Sequence, residues 1–320
     1  MRPSPLPVEL GPGPFSTARA RGLGVPAQRL GRGDLTRPTR GVRALTEPET
    51  LVERAAAFAL AMPGDRAFSH VTAALLWGLP LPRALEQAAT DGAAPLHVIA
   101  PTRDGMAKRA GVVGHRGLEL RAVASPAGSA VRVVDLADTW CDLGELPRGS
   151  LSIPDLVVVG DAVVALLDAR AGRAVGVRAL HEALSARCRP RGAVALRQAL
   201  TLVRPGVRSP GETRARLMFV GAGFPEPEVN APLTDSAGGW LAEGDLVWRR
   251  QRVVGEYQGE PHADRRRRSA DAFRRDLVEG HGWRVKELWA EDLHRGARRR
   301  FTLTRFAQAL DLDLSTLRIA

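Results

Sequence analysis

Asp245 and Glu256 stand in two segments whose other residues are those of buried strands. Asp245 interrupts the apolar run Leu241-Ala242 and Leu246-Val247-Trp248, and Glu256 follows Val253-Val254-Gly255. Residues two apart on a strand point to one side, so Glu256 and Gln258 share a face. If Arg249-Arg250-Gln251 is a tight turn, Asp245 lies on the adjacent strand and its carboxylate can converge on the same spot. A carboxylate in such a setting is costly unless it is hydrogen-bonded or holds a cation. Mg²⁺ takes one or two carboxylates, waters and a substrate phosphate. It then lowers the pKa of bound water and offsets charge building on the phosphorus. That is the chemistry of phosphodiester hydrolysis. The plainer reading of Asp245 is an ion pair with one of the many arginines.

The elements that must position these groups are readable from residue 208 onward. Ser209 caps a helix with Pro210 in its first turn, and Gly221 and Gly223 end it. Strands are expected at 227–233, 240–248 and 252–258, a long charged helix at 263–280, a fourth strand at 283–288 and a closing helix at 292–310. The order is helix, three antiparallel strands, helix, strand, helix. Glu212, Asp245, Glu256-Tyr257-Gln258-Gly259, His262, Asp271 and Gly282-Trp283-Arg284-Val285 together resemble the PD-(D/E)XK nuclease core, and more narrowly the very-short-patch-repair-like endonuclease domains. The similarity covers roughly residues 205–312.

The resemblance implies that Asp245 and Glu256 are ligands of Mg²⁺ or Mn²⁺ and that Glu212 orients metal-bound water. A helix-dipole role is the rival for Glu212. The third motif position, commonly Lys or an acid, is Gln258 here; Gln can orient a water but supplies neither a general base nor positive charge. His262 is an auxiliary that positions water or faces phosphate, or else a surface histidine. Arg265, Arg266, Arg267, Arg268, Arg274 and Arg275 on the following helix either grip phosphates or form a solvated face.

Ahead of this region the chemistry is thinner. A Pro/Gly-rich tail (1–14) leads into two short helices, the first capped by Ser16 and the second over 25–32, and then a basic wing at 33–43. In a helix-turn-helix the second helix enters the major groove and basic flanks meet phosphates. The candidates are Arg29 and Arg32 on that helix and Arg37, Arg40 and Arg43 on the wing; the alternative is a small helical cap with solvated arginines. Helices are expected at 48–61 and 69–80, strands at 96–100 and 112–116, and a strand passing into a helix over 131–143. Three further helices fall at 155–169, 175–186 and 193–202. His70 and His115 have no ligand-spaced partner nearby, which favours a capping or hydrogen-bonded role. The Arg40-Gly41-Val42-Arg43 wing and the block from Ser69-His70 to Leu79-Pro80 resemble AbiEi-type antitoxins of type IV toxin–antitoxin systems.

The expected architecture is therefore α/β (α+β). Residues 1–46 form a tail plus a winged-helix-like module, 47–150 a mixed middle domain, 151–204 a helical connector and 205–320 the αβββαβα nuclease-like domain. A formal charge of +11 over 320 residues points to an anionic partner, DNA first. Nearly all of that charge is arginine, since Lys108 and Lys286 are the only lysines, a composition that a GC-rich coding sequence also produces. Cys141 and Cys188 make neither a metal spacing nor a disulfide framework, which suits a reducing cytoplasm. The start has no secretory h-region, and the apolar stretch 153–167 is broken by Asp155 and Asp161, so no membrane association is expected. The expectation is a Mg²⁺-dependent DNA endonuclease. The alternative is a DNA-binding, antitoxin-like regulator that keeps the nuclease fold without catalysis. A partner toxin is what the antitoxin resemblance implies, and a double-strand cut with one site per chain needs either a self-dimer or two successive events.

Overall fold

The structure, a computed structural model, describes residues 4–126, 131–258 and 265–319, the side chains of 265–271 excepted. Strands and helices interleave along the chain in an α/β (α+β) arrangement. Two compact units divide it: Met1–Val159 with Arg178–Arg197, and Gly160–Val177 with Gln198–Ala320. The segments expected at 1–46 and 47–150 both fall in the first unit. Among the described residues no helix is long and apolar enough to cross a membrane.

The first unit begins with β1 (Phe15–Ser16), α1 (Thr17–Gly22), α2 (Ala27–Leu30) and β2 (Val42–Arg43). Ser16 accepts a hydrogen bond from Arg19 N and so caps α1. β1 pairs antiparallel with β2, and Leu10, Phe15, Ala20, Val25, Leu30 and Leu35 form a small core between them. The second helix is one turn, not the eight residues expected, because Pro26 opens it and Gly31 closes it.

Next come α3 (Leu51–Ala59), β3 (Ala67–Phe68), α4 (His70–Leu76), α5 (Arg83–Thr90), β4 (Leu96–Ala100), β5 (Val112–Arg116), β6 (Val123–Ala124), β7 (Val133–Val134) and α6 (Leu136–Gly144). The sheet order is β5-β4-β3-β7-β6. β4–β5 and β3–β7 are parallel, and β3–β4 and β6–β7 antiparallel. β3, β6 and α5 were not anticipated; two-residue strands carry too little alternation to be read locally. α4 packs on α6 and β4. The indoles of Trp77 and Trp140 donate to the Val134 and Leu156 carbonyls, which satisfies the polar edge of each buried ring. The helices α7 (Ile153–Ala171), α8 (Gly176–Ser185) and α9 (Ala193–Leu202) lie where the apolar periodicity places them.

The second unit continues through α10 (Pro210–Ala222), β8 (Glu228–Thr234), β9 (Trp240–Trp248), β10 (Val253–Gln258), α11 (Arg265–Gly280), β11 (Arg284–Trp289) and α12 (Ala297–Ala309). This is the expected helix, three strands, helix, strand, helix. The sheet order is β11-β10-β9-β8, antiparallel except for the β10–β11 pair. Such a parallel pair needs a crossover, and α11 supplies it.

Apolar residues cover both faces of this sheet. Phe219 of α10, Trp248 and Phe306 of α12 pack on one side with ring centroids 4.7 to 5.7 Å apart. Val247, Val254, Val278 and Trp283 fill the other, beneath α11. Arg216, fully buried, ties α10 inward through Asp161 Oδ2 at 3.2 Å, Glu226 Oε1 at 2.9 Å and the Leu202 carbonyl at 2.7 Å.

Candidate active site

The hairpin that carries the acidic residues turns through a single helical turn, Arg249–Gln251, with Arg252 in the left-handed conformation at φ 49°. Its antiparallel ladder runs Val253–Trp248, Val254–Val247, Gly255–Leu246 and ends there. One step further, the side chain of Asp245 replaces the ladder: its Oδ2 accepts the Tyr257 backbone N–H at 2.8 Å. β10 meanwhile stays paired with β11 through Gln258–Trp289. The two strands of the hairpin therefore part where the acids begin. Asp245, Glu256 and Gln258 line one cleft of about 680 Å³, with Arg274 and Arg275 of α11 on its wall. The structure thus brings the three residues expected to converge into the lining of one cleft.

The parallel register adds a carboxylate that sequence did not single out. Glu256 faces Glu287 directly across β10–β11, and Glu287 lines the same cleft. Among the described residues the cleft thus holds four carboxylates, those of Asp245, Glu256, Asp276 and Glu287, against two guanidiniums. Arg275 pairs with Glu287, and Arg274 Nη2 lies 3.6 Å from Glu256 Oε2 while remaining half exposed. Arg274 also acts on Asp245 through its charge, so it serves both acids while staying open to solvent.

Burial pushes the Asp245 carboxyl above the usual aspartate value; the Tyr257 amide opposes this, and the nearby charge of Glu212 adds to it. A site that disfavours its own ionised carboxylate gains most from a cation. Glu212 itself is buried at the start of α10. Its Oε1 accepts from Ser209 Oγ at 2.8 Å, and its Oε2 from Arg208 N at 3.0 Å and Asn230 Nδ2 at 2.7 Å. Asn230 reaches it from φ 46°, a left-handed conformation that asparagine tolerates. Glu212 anchors the helix start and acts on Asp245 through its charge.

The remaining expected residues divide by location. His262, and the side chains of Arg265, Arg266, Arg267, Arg268 and Asp271, lie outside the described residues. In the first unit Arg29 is 7% exposed and holds Asp34 through two hydrogen bonds of 2.9 and 2.8 Å and the Ser4 carbonyl at 2.7 Å. Where a phosphate contact was expected, it is a structural tie. Arg43 likewise donates to the Leu30 and Val42 carbonyls. Arg32, Arg37 and Arg40 are exposed.

A second constellation was dismissed at the sequence level. His70, His97 and His115 place ligand-type nitrogens within 4.8 Å of one another in the first unit. The missing signal was His97, whose strand assignment was right but whose face could not be matched to the start of α4. Burial lowers all three: His97 and His115 to about 4, and His70 well below its usual value.

No family model matches the chain, and no solved structure matches it significantly. It is similar to two proteins of Mycobacterium tuberculosis, "Uncharacterized protein MT2308" of strain CDC 1551 / Oshkosh and "Uncharacterized protein Rv2248" of strain ATCC 25618 / H37Rv. Each is 28% identical over 266 residues, covering 82% of this chain and 88% of the relative.

Proposed function

We propose that the second unit is a divalent-metal-dependent DNA endonuclease. The observation that carries this reading is the meeting of Asp245, Glu256 and Gln258 in one cleft, at the point where β9 and β10 part. The donors fit a hard cation: two carboxylates and an amide carbonyl, one carboxylate destabilised by burial and by Glu212. Asp245 and Glu256 would hold Mg²⁺ or Mn²⁺, which when bound supplies an acidified water and a counter-charge for phosphate. The chain's own part is positional. Tyr257 N–H fixes the Asp245 carboxylate, Gln258 offers an amide to orient water, and Arg274 and Arg275 meet the phosphodiester. The helix–strand order of the unit, from α10 to α12, agrees with the PD-(D/E)XK-like core that the motifs resemble.

One observation favours a second reading, a DNA-binding regulator with a silent nuclease fold. Gln258 stands where a lysine or an acid would complete the motif, and that position therefore supplies neither a general base nor a positive charge. The test is plasmid nicking by the full chain with Mg²⁺ or Mn²⁺, beside an Asp245→Ala/Glu256→Ala variant. Metal-dependent nicking by the wild type alone supports the endonuclease. Retention of DNA without nicking supports the regulator. Equal nicking by both proteins, or neither retention nor nicking, removes both readings.

A further inference from the structure

The histidine cluster of the first unit is far from random packing of three rings. His70 opens α4 with a backbone φ of 50°, a left-handed conformation uncommon among side-chain-bearing residues, in which His, Asn and Asp are the most frequent. His97 lies on β4 and His115 on β5. The parallel register pairs Ile99 with His115, so His97 and His115 share a face and differ by two positions. The start of α4 is bound to the backbone of His97 on β4 by two hydrogen bonds: Ser69 N donates to the His97 carbonyl at 3.0 Å, and the Thr72 side-chain Oγ1 accepts from His97 N at 2.8 Å. Rigid elements therefore supply all three rings.

We propose that His70, His97 and His115 form a binding site for a zinc-type divalent cation, with a fourth position left for water or an anionic group. His97 Nδ1 and His115 Nε2 are 2.9 Å apart, and the candidate ligand atoms all lie within 4.8 Å of one another. Tetrahedral zinc with Zn–N bonds of about 2.0–2.1 Å needs nitrogens about 3.3 Å apart. The rings now stack with interplanar angles of 13° to 26°, so loading turns them toward a common point. That rotation is about χ2, which is broad for histidine.

The surroundings carry the second argument. Asp142 is fully buried and its Oδ1 accepts from Arg121 Nε at 2.8 Å and Arg187 Nη1 at 2.7 Å. Its Oδ2 is buried with no hydrogen-bond partner among the described residues and stands 4.0 Å from His70 Nδ1, which now lies 3.0 Å from Ser69 Oγ. An imidazole that ligates a cation through one nitrogen donates more strongly through the other, and a carboxylate oxygen is the usual acceptor. The orphaned oxygen gains a partner when the site is loaded. Asp138, Asp142 and Glu145 partly offset the guanidiniums of Arg121 and Arg187 in this network, while Arg191 also acts on His115. Three imidazole donors select a borderline ion such as Zn²⁺ over Mg²⁺, which separates this site from the oxygen-lined cleft of the second unit.

The test uses the full chain, stripped with chelator and titrated with Zn²⁺ alone and Co²⁺ alone. One tight equivalent should bind, ahead of weaker uptake by the carboxylate cleft, and the Co²⁺ form should show visible ligand-field bands. His97→Gln and His115→Gln should each weaken binding by about a hundredfold or more, and Asp142→Asn by about tenfold. Asp245→Ala/Glu256→Ala should bind as the wild type does. Because a histidine variant can fail to fold, X-ray absorption of the zinc-loaded wild type decides independently. Imidazole scattering from about three ligands supports the site. A sulfur shell would assign the ion to a cysteine such as exposed Cys188, and an oxygen-only shell to the carboxylates; either overturns the proposal, as does the absence of saturable binding.

Discussion

Asp245 is held under opposing influences, and their balance makes a prediction at the scale of one residue. Burial and Glu212 raise its pKa, so the folded chain binds that proton more tightly than the unfolded chain does. Its favourable contribution is full at low pH and is lost as pH rises through the folded value, leaving a cost at neutrality. Asp245→Asn keeps an acceptor for Tyr257 N–H and removes the charge. Calorimetry in metal-free buffer at pH 7.5 should find its Tm equal to or above that of the wild type. Mg²⁺ should raise the Tm of the wild type alone. A large loss of stability in the variant would make Asp245 a structural partner instead of a ligand. The histidines move the other way. With folded values near 4 for His97 and His115, the unfolded chain takes up protons between pH 6.5 and 4 while the folded chain does not. The metal-free protein should therefore be most stable above pH 6.5 and lose up to about 3 kcal/mol per ring on acidification through that window. The two shifts are not additive, since the rings share a hydrogen bond. Urea unfolding of chelator-treated His97→Gln should show a shallower pH slope there; an unchanged slope would mean that the buried ring protonates freely.

At the scale of elements, the site depends on how closely α10 approaches β10. A β-carbon at Gly211 would lie 2.1 Å from the Tyr257 ring, so only glycine lets the first turn of the helix sit against that strand. Gly211→Ala should cost about 1–3 kcal/mol by overpacking. It should also reduce nicking, because the displaced Tyr257 amide fixes Asp245; unaltered stability and activity would show that the helix retreats without consequence. The same packing explains what was legible beforehand. The strands β8 to β10 announce themselves by alternation and by the Arg249–Gln251 turn, and Asp245 and Glu256 by interrupting apolar runs. Glu287 did not, because nothing local says which strand a charged, alternating segment will join, and only the parallel register puts it beside Glu256. Arg29 was misplaced because the basic residues around it looked like a DNA face, whereas Asp34 folds back to clamp it. The histidines were set aside on sequence spacing, a criterion that a helix start and two strands brought together from distant segments evade.

For the whole molecule, charge and chemistry separate. The chain carries a formal +11, and the carboxylates assigned to the cation oppose a polyanion until they are neutralised. Replacing Asp245 and Glu256 by Ala leaves the chain two charges more positive, so DNA retention should be kept or strengthened while nicking disappears. Arg274 and Arg275 make the complementary pair. They line the cleft on α11 and are about half exposed, so they remain available to phosphate. Each phosphate contact contributes about −0.9 to the slope of log K against log salt. Arg274→Gln/Arg275→Gln should therefore flatten that slope by about two and weaken binding to all sequences alike. Fluorescence anisotropy with duplex DNA between low and physiological salt measures both quantities. A slope unchanged in the arginine variant would place the DNA on a surface other than α11. The carboxylates would then have no phosphate to work on, and the endonuclease reading would fail at the level of the complex even with its cation bound.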